Sequence, residues 1–306
     1  MDLTHVILIG VVLGCLGRLL LLHIDYRQYP SYPQGYVIHV SMALISSFLG
    51  AVAIPALLDK DYAAATFLGL AATQFRDVRK MERDTLANME SMELVPRGSS
   101  YIEGIARVFE ARNYLAGAIA VVSTGSVLLL QIENPWYSVL IQIGSGLITG
   151  LLLYRAGFGP QVKELAEIVP AKISFDGPML MVDDIPIMNV GSKVARERYL
   201  QDGLAVLIKP HDANAKATLA NVGQRQAIAH NAAALLGIRM DVGEPEYTPL
   251  VRQDVNTGAL GLVLVPAEKN QAALIEAVAQ VPVLEGSVRK PLESLPGKMA
   301  DGSIEE

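Results

Sequence analysis

The 306-residue chain is poor in cysteine and in charge. Its single cysteine, Cys15, cannot close an intramolecular disulfide, so nothing argues for an oxidising compartment. Asp, Glu, Lys and Arg make up 18% of residues, against about 25% in an average soluble domain. What charge there is sums to −6, which excludes a nucleic-acid binder driven by phosphate contacts. No P-loop, G-x-G-x-x-G, H-E-x-x-H or G-x-S-x-G occurs, so neither a cofactor nor a metal is expected. With 51% apolar residues the chain is not disordered, and it is not collagen-like.

The apolar residues are unevenly spread. Residues 1–155 read as membrane-like and 156–306 as a soluble domain. Val6–Leu22, Tyr36–Leu58, Tyr114–Ile132 and Trp136–Tyr154 are long apolar runs, and the only Asp, Glu, Lys or Arg among them is Arg18. A helix rises about 1.5 Å per residue, so about 20 residues cross a hydrocarbon core. Tyr62–Phe75 is a shorter fifth candidate, spanning or interfacial. Five helices are expected, four being the alternative.

Seven basic residues between Phe75 and Tyr114 (Arg76, Arg79, Lys80, Arg83, Arg97, Arg107 and Arg112) mark that connection as cytoplasmic. The C-terminal domain is then cytoplasmic in either count. With five spans, Arg18 lies close enough to the inner end of its run to snorkel to the cytosol. Gly10 and Gly14, Ser46 and Gly50, and Gly146 and Gly150 are small-xxx-small pairs suited to close helix packing.

The polar connection, 76–113, breaks at Pro96 and Gly98. A new helix, Tyr101–Asn113, then runs into the next apolar segment. Glu103, Arg107 and Glu110 share its polar face. Two carboxylates near each other can do acid/base work if one is desolvated. Glu103 and Glu110, with Arg112, Arg79 or Arg83 as electrostatic stabilisers, are the candidate catalytic set. The plainer reading is a salt-bridged interfacial helix. Leu94–Ser99 also matches a thrombin-cleavable linker, here joining two natural-looking helices.

Tyr101-Ile102-Glu103-Gly104-Ile105-Ala106 spells the motif that names the YIEGIA membrane-protein family. Asp25-Tyr26-Arg27-Gln28-Tyr29-Pro30, Gln74-Phe75-Arg76-Asp77-Val78-Arg79 and Phe109-Glu110-Ala111-Arg112-Asn113-Tyr114 resemble the same family. The resemblance is strong over the membrane half and weak over the tail. It implies a multi-pass membrane protein of endospore-forming bacteria, linked to sporulation and placed in the cell or forespore inner membrane. It supplies no reaction. The motif positions it carries over are Asp25, Tyr26, Arg27, Tyr29, Gln74, Arg76, Arg79, Tyr101, Glu103, Gly104, Glu110, Arg112 and Asn113. The Asp25–Gly35 loop, rich in tyrosine and proline, suits a membrane interface. With five spans, Asp25 and Arg27 could pair with charges on the 76–113 connection.

In the second half, 156–170 reads as a linker with a short amphipathic helix on Val162, Leu165 and Ile168. Lys172–Val190 reads as small strands cut by Asp176-Gly177 and Asp183-Asp184, and Ser192–Gln201 as a helix. Leu204–Ile208, Ala213–Leu236, Leu250–Val255, Ala259–Val265, Asn270–Gln280 and Val281–Leu284 follow as strand, helix, two hairpin strands, helix and strand. That order predicts a ferredoxin-like βαββαβ domain over 171–286 with an N-terminal β extension. Residues 287–306 read as a disordered tail. His211 and His230 stand alone in the sequence.

The function expected is a regulatory or scaffold protein whose cytoplasmic domain binds a protein partner or itself. A membrane-embedded hydrolase or protease is the alternative, and a small transporter or channel the lesser one. Its partners are then the lipid bilayer and a cytoplasmic protein, not nucleic acid.

Overall fold

The computed structural model describes residues 2–25, 33–90, 93, 95–132, 134–157, 159–241, 244–245, 247–300 and 302. The chain divides into two compact units, Met1–Leu86 with Ile105–Phe158, and Ala87–Gly104 with Gly159–Glu306. Residues 87–104, which the composition groups with the membrane half, therefore pack within the second unit.

Five long helices come first: α1 (Leu3–Asp25), α2 (Pro33–Leu58), α3 (Tyr62–Met89), α4 (Ser99–Leu129) and α5 (Pro135–Gly157). Among the described residues three are long and apolar enough to cross a membrane: Leu3–Leu22, Gly35–Leu58 and Pro135–Arg155. The Tyr62–Phe75 run forms the first half of α3, and Tyr114–Ile132 begins in the second half of α4.

In the first unit, α1, α2 and α4 approach through small residues. A Cβ placed on Gly14 would come within 2.7 Å of the Ala116 carbonyl, and one on Gly50 would strike the Gly117 backbone. A side chain at either position would push the helices apart. Gly146 of α5 meets Leu13 of α1 in the same way. Polar bonds cross these apolar surfaces: Gln142 Nε2 donates to the Val6 carbonyl at 2.5 Å, and Ser126 and Ser145 hydroxyls meet at 2.9 Å. In hydrocarbon such bonds hold helices in register.

The second unit carries α6 (Val162–Leu165), β1 (Ala166–Pro170), β2 (Ile173–Asp176), β3 (Met179–Val182), β4 (Ile185–Asn189), α7 (Lys193–Asp202) and β5 (Leu204–Pro210). Then come α8 (Ala213–Leu219), α9 (Val222–Leu236), β6 (Met240–Asp241), β7 (Glu244–Pro245), β8 (Leu250–Gln253), β9 (Leu260–Leu264), α10 (Gln271–Ala279) and α11 (Leu295–Ala300). One sheet runs β1-β5-β9-β8, all antiparallel, and a second runs β2-β3-β4. All of β9, Leu-Gly-Leu-Val-Leu, is buried, as befits a strand paired on both sides. Gly261 leaves room for Val182 and Ile187 of the smaller sheet, and Leu180, Val182, Ile185, Val263 and Val265 share one core.

Four elements depart from the pattern read in the sequence. Residues 166–170 are a strand, not part of a linker, and they take the free edge of β5 with Ile168 opposite Ile208. Val281–Leu284 therefore does not join the sheet. Pro282 lacks the N–H that a ladder needs, and this segment instead exchanges bonds with Pro160 and Val162. The single helix expected over Ala213–Leu236 is two, because the Asn221 side chain accepts from the Gln224 N–H at 3.2 Å and starts a new one. The tail expected to be disordered from Ser287 is bonded to α8 as far as Leu292. Arg289 N–H donates to Thr218 Oγ1 at 3.0 Å, and Leu292 N–H to Asn214 Oδ1 at 2.9 Å.

Candidate functional site

The motif positions fall into two settings, one in each unit. In the second unit, the end of α3, residues 95–98 and the first turn of α4 are joined by side-chain bonds. Glu90 organises the turn: its carboxylate accepts from the N–H of Arg97 at 2.5 Å and of Gly98 at 2.7 Å. Glu93 pairs with the buried Arg97 guanidinium at 3.4 Å. Gly98 has φ +89°, a left-handed conformation that L side chains disfavour, and a Cβ there would overlap Gln226.

Tyr101 is the anchor. It is 1% exposed, and its backbone N–H donates to Gln226 Oε1 at 3.0 Å. Its ring meets His230 edge-on at 6.0 Å between centroids. His230 Nδ1 lies 2.9 Å from the Val95 carbonyl. A carbonyl only accepts, so Nδ1 carries the proton. Burial pushes the Tyr101 phenol up to about 12, against the pull of Arg97 and a hydrogen bond to Asn231. Burial, and then Arg97, hold His230 below its ordinary value. Gly223 of α9 lies against the Ser100 carbonyl, and Gly104 faces Leu284. A phenol held protonated and a neutral imidazole bound to backbone make a packing joint, not an acid/base pair.

In the first unit, Glu110 pairs with Arg79 at 3.0 Å, and Glu110 is 13% exposed. Glu103 belongs to the second unit and Glu110 to the first. Arg83 is held by its neighbour Asp84 at 2.8 Å. Arg112 and Asn113 are buried, and Gln74 and Arg76 are exposed. The Asp25 side chain, Tyr26, Arg27 and Tyr29 lie outside the described residues.

Sequence reasoning misses one cluster in this unit. Arg18 does not snorkel outward: it is wholly buried, and its Nη2 donates to His39 Nδ1 at 2.7 Å. Guanidinium nitrogens only donate, so the neutral His39 ring keeps its proton on Nε2. The Phe109 ring closes the cluster, 5.9 Å from the Arg18 guanidinium carbon and 4.9 Å from the His39 ring. The signal available was one arginine and one histidine in successive apolar runs, where ionisable groups pair inward.

The YIEGIA family profile, described as YIEGIA protein, matches residues 6–294. The chain belongs to the YIEGIA family. It is also 42% identical over 292 residues to the "Uncharacterized protein YphB" of Bacillus subtilis (strain 168), covering 95% of this chain and 96% of that one. No solved structure matches it. The family match extends through the C-terminal unit, beyond the membrane half where the motifs cluster.

Proposed function

We propose that this YIEGIA-family chain is a multi-pass protein of the bacterial inner membrane with a regulatory or scaffold role in sporulation. Its C-terminal α+β domain is a cytoplasmic binding module for a protein partner or a second copy. The observation that carries this reading is the use made of the family-naming motif: Tyr101 is spent on packing against α9, not on presenting a reactive group. A motif that anchors a connection to a domain belongs to a protein whose task is to hold that domain. The Bacillus subtilis relative and the apolar helices support the bacterial membrane setting.

The seven basic residues between Phe75 and Tyr114 favour a cytoplasmic connection, which with five spans puts the N-terminus outside and with four puts it inside. β5, the α8–α9 crossover, β8 and the intervening β9 keep the split βαβ order of a ferredoxin-like domain. We read the domain as a variant with β1 in the place of the last strand. Glu110 is engaged by Arg79, which favours a structural ion pair over the hydrolase alternative.

The test is deletion of the gene in a spore-forming host and a count of heat-resistant spores. Complementation uses wild type, Tyr101→Ala, Glu103→Gln and Glu110→Gln, with protein levels checked by blot. The expected outcome is loss of spores on deletion, rescue by both glutamine variants, and failure of Tyr101→Ala. A glutamine variant that accumulates yet fails restores the hydrolase reading. A deletion without spore phenotype ends the sporulation link.

A further inference from the structure

Segments of the second unit that lie far apart in the sequence enclose an open cavity of about 180 Å³. Leu165 and Val283 line one side, residues 211–218 a second, and residues 288–290 a third. Hydrogen bonds fix these sides to one another. His211 N–H donates to the Leu165 carbonyl and Val283 N–H to the Pro160 carbonyl, each at 2.9 Å. Thr218 and Asn214 hold the 289–292 segment on α8. The cavity is therefore formed before any ligand arrives, which removes the ordering cost from binding. Several of its polar groups are only half used. Glu164 Oε1 accepts from the Gln161 N–H at 2.9 Å and Asp212 Oδ1 from the Ala215 N–H at 2.7 Å. The second oxygen of each carboxylate has no partner among the described residues. Arg289 Nη1 donates to the Gly286 and Val288 carbonyls at 3.1 and 2.8 Å, and its Nε and Nη2 have no partner there. That open edge is one with which a guanidinium grips a carboxylate through two N–H groups. Asn214 Oδ1 takes the Leu292 N–H, and its Nδ2 is left as an open donor.

Size and charge select the ligand. A cavity of about 150 Å³ takes one benzene-sized molecule, so this one suits roughly six to ten heavy atoms, which excludes a nucleotide or a folded peptide. Lys290 also lines the cavity, but its ammonium is paired with Glu293 at 2.7 Å. A simple anion meets the carboxylates of Glu164 and Asp212, and a simple cation meets Arg289. A ligand that carries both charges satisfies both, and like-charge contacts reject the others. We propose that the cavity binds a free α-amino acid with a small aliphatic side chain. Its carboxylate is gripped by the open edge of Arg289, with Asn214 Nδ2 as a further donor. Its ammonium is held by Glu164 and Asp212. Its side chain rests against Leu165, Val283 and Val288. The site stands independently of the adaptor reading above, because Tyr101, Gln226 and His230 take no part in it.

The test is the melting temperature of the full-length protein in detergent at pH 7 and matched ionic strength. Separate arms titrate L-valine, L-leucine, L-tryptophan, 3-methylbutanoate and 2-methylpropylamine. The last two are valine without its amine and valine without its carboxylate. The expected result is a saturable rise of roughly 2–6 °C with valine or leucine, at about tenfold above half-saturation. The single-charge fragments and the larger tryptophan give no such rise. Glu164→Gln and Arg289→Gln each move half-saturation to about tenfold higher amino acid or more, since each removes a charge-assisted bond. Val288→Phe keeps both charges, narrows the cavity and also loses the response. An equal rise with either fragment or with tryptophan, a rise unchanged in the variants, or no rise with valine or leucine overturns the proposal. If the charge variants do not accumulate, Val288→Phe decides whether the response belongs to this cavity.

Discussion

At the residue scale, Tyr101 separates two contributions within one side chain. The ring fills a buried site beside His230, and the hydroxyl bonds Asn231. Tyr101→Phe keeps the ring and removes one hydrogen bond, a cost of about 0.5–1.5 kcal/mol. Tyr101→Ala removes the ring and leaves a cavity, at about 3–5 kcal/mol. Thermal or denaturant unfolding of the two variants in detergent checks the order, and equal effects would show that the ring does not anchor the segment.

His230 adds a pH dependence of definite sign. Its pKa in the fold lies below the unfolded value of about 6.5, through burial and then Arg97, while the Val95 carbonyl, Glu93 and Glu90 pull the other way. The unfolded chain therefore takes up a proton that the folded chain resists. The fold loses stability as pH drops below about 6.5. Wild type is expected to melt progressively lower between pH 7 and pH 5, and His230→Gln to lose that part of the slope. A slope unchanged by His230→Gln would assign it to other groups.

At the scale of elements, the packed 87–104 segment contains its own probe. The Arg97–Gly98 bond sits in a sequence that thrombin recognises, yet Arg97 is 8% exposed and the N–H groups of both residues are held by Glu90. A protease needs that backbone extended and free. Wild type is expected to resist thrombin, while Glu90→Ala and Gln226→Ala, which remove the bonds to the 97–98 and 101 amides, are cut roughly tenfold faster or more, each lost bond being worth about 1 kcal/mol or more. Rapid cleavage of wild type at Arg97 would mean that the segment spends much of its time off α9.

The same scale shows what was readable in the sequence. Long apolar runs and caps such as Ser192 and Asn270 announce helices through local rules, and the structure has them there. The misread elements are those decided by neighbours far away in the chain. Val162, Leu165 and Ile168 are spaced as on a helix, but the open edge of β5 draws 166–170 into a strand. Pro282 was a local signal against a last strand. The Tyr101 joint depends on Gln226 and His230, 125 and more positions on, and the Arg18–His39 pair spans 21. Periodicity names which faces are apolar but not which polar groups meet across them.

At the scale of the whole molecule, the count of membrane crossings is the quantity to test. It turns on α3, where Tyr62–Gln74 has no buried residue while Phe67 and Leu70 stand 66% and 62% exposed. Apolar side chains left open in this way belong against lipid. Tyr62–Phe75 covers about 21 Å at 1.5 Å per residue, short of a ~30 Å core. A bilayer thins or a flanking Lys60 snorkels at modest cost to accept such a length. The exposed face therefore argues for crossing, its short length argues against crossing only by the modest cost of thinning, and side-specific labelling decides. In a Cys15→Ser background, single cysteines placed within residues 25–35 and within residues 131–134 are treated with an impermeant maleimide on intact cells. Five spans predict that the 131–134 cysteine is labelled from outside and the 25–35 cysteine only after lysis. Labelling of both on intact cells would leave α3 on one side of the membrane, reduce the spans to four and place the N-terminus in the cytosol.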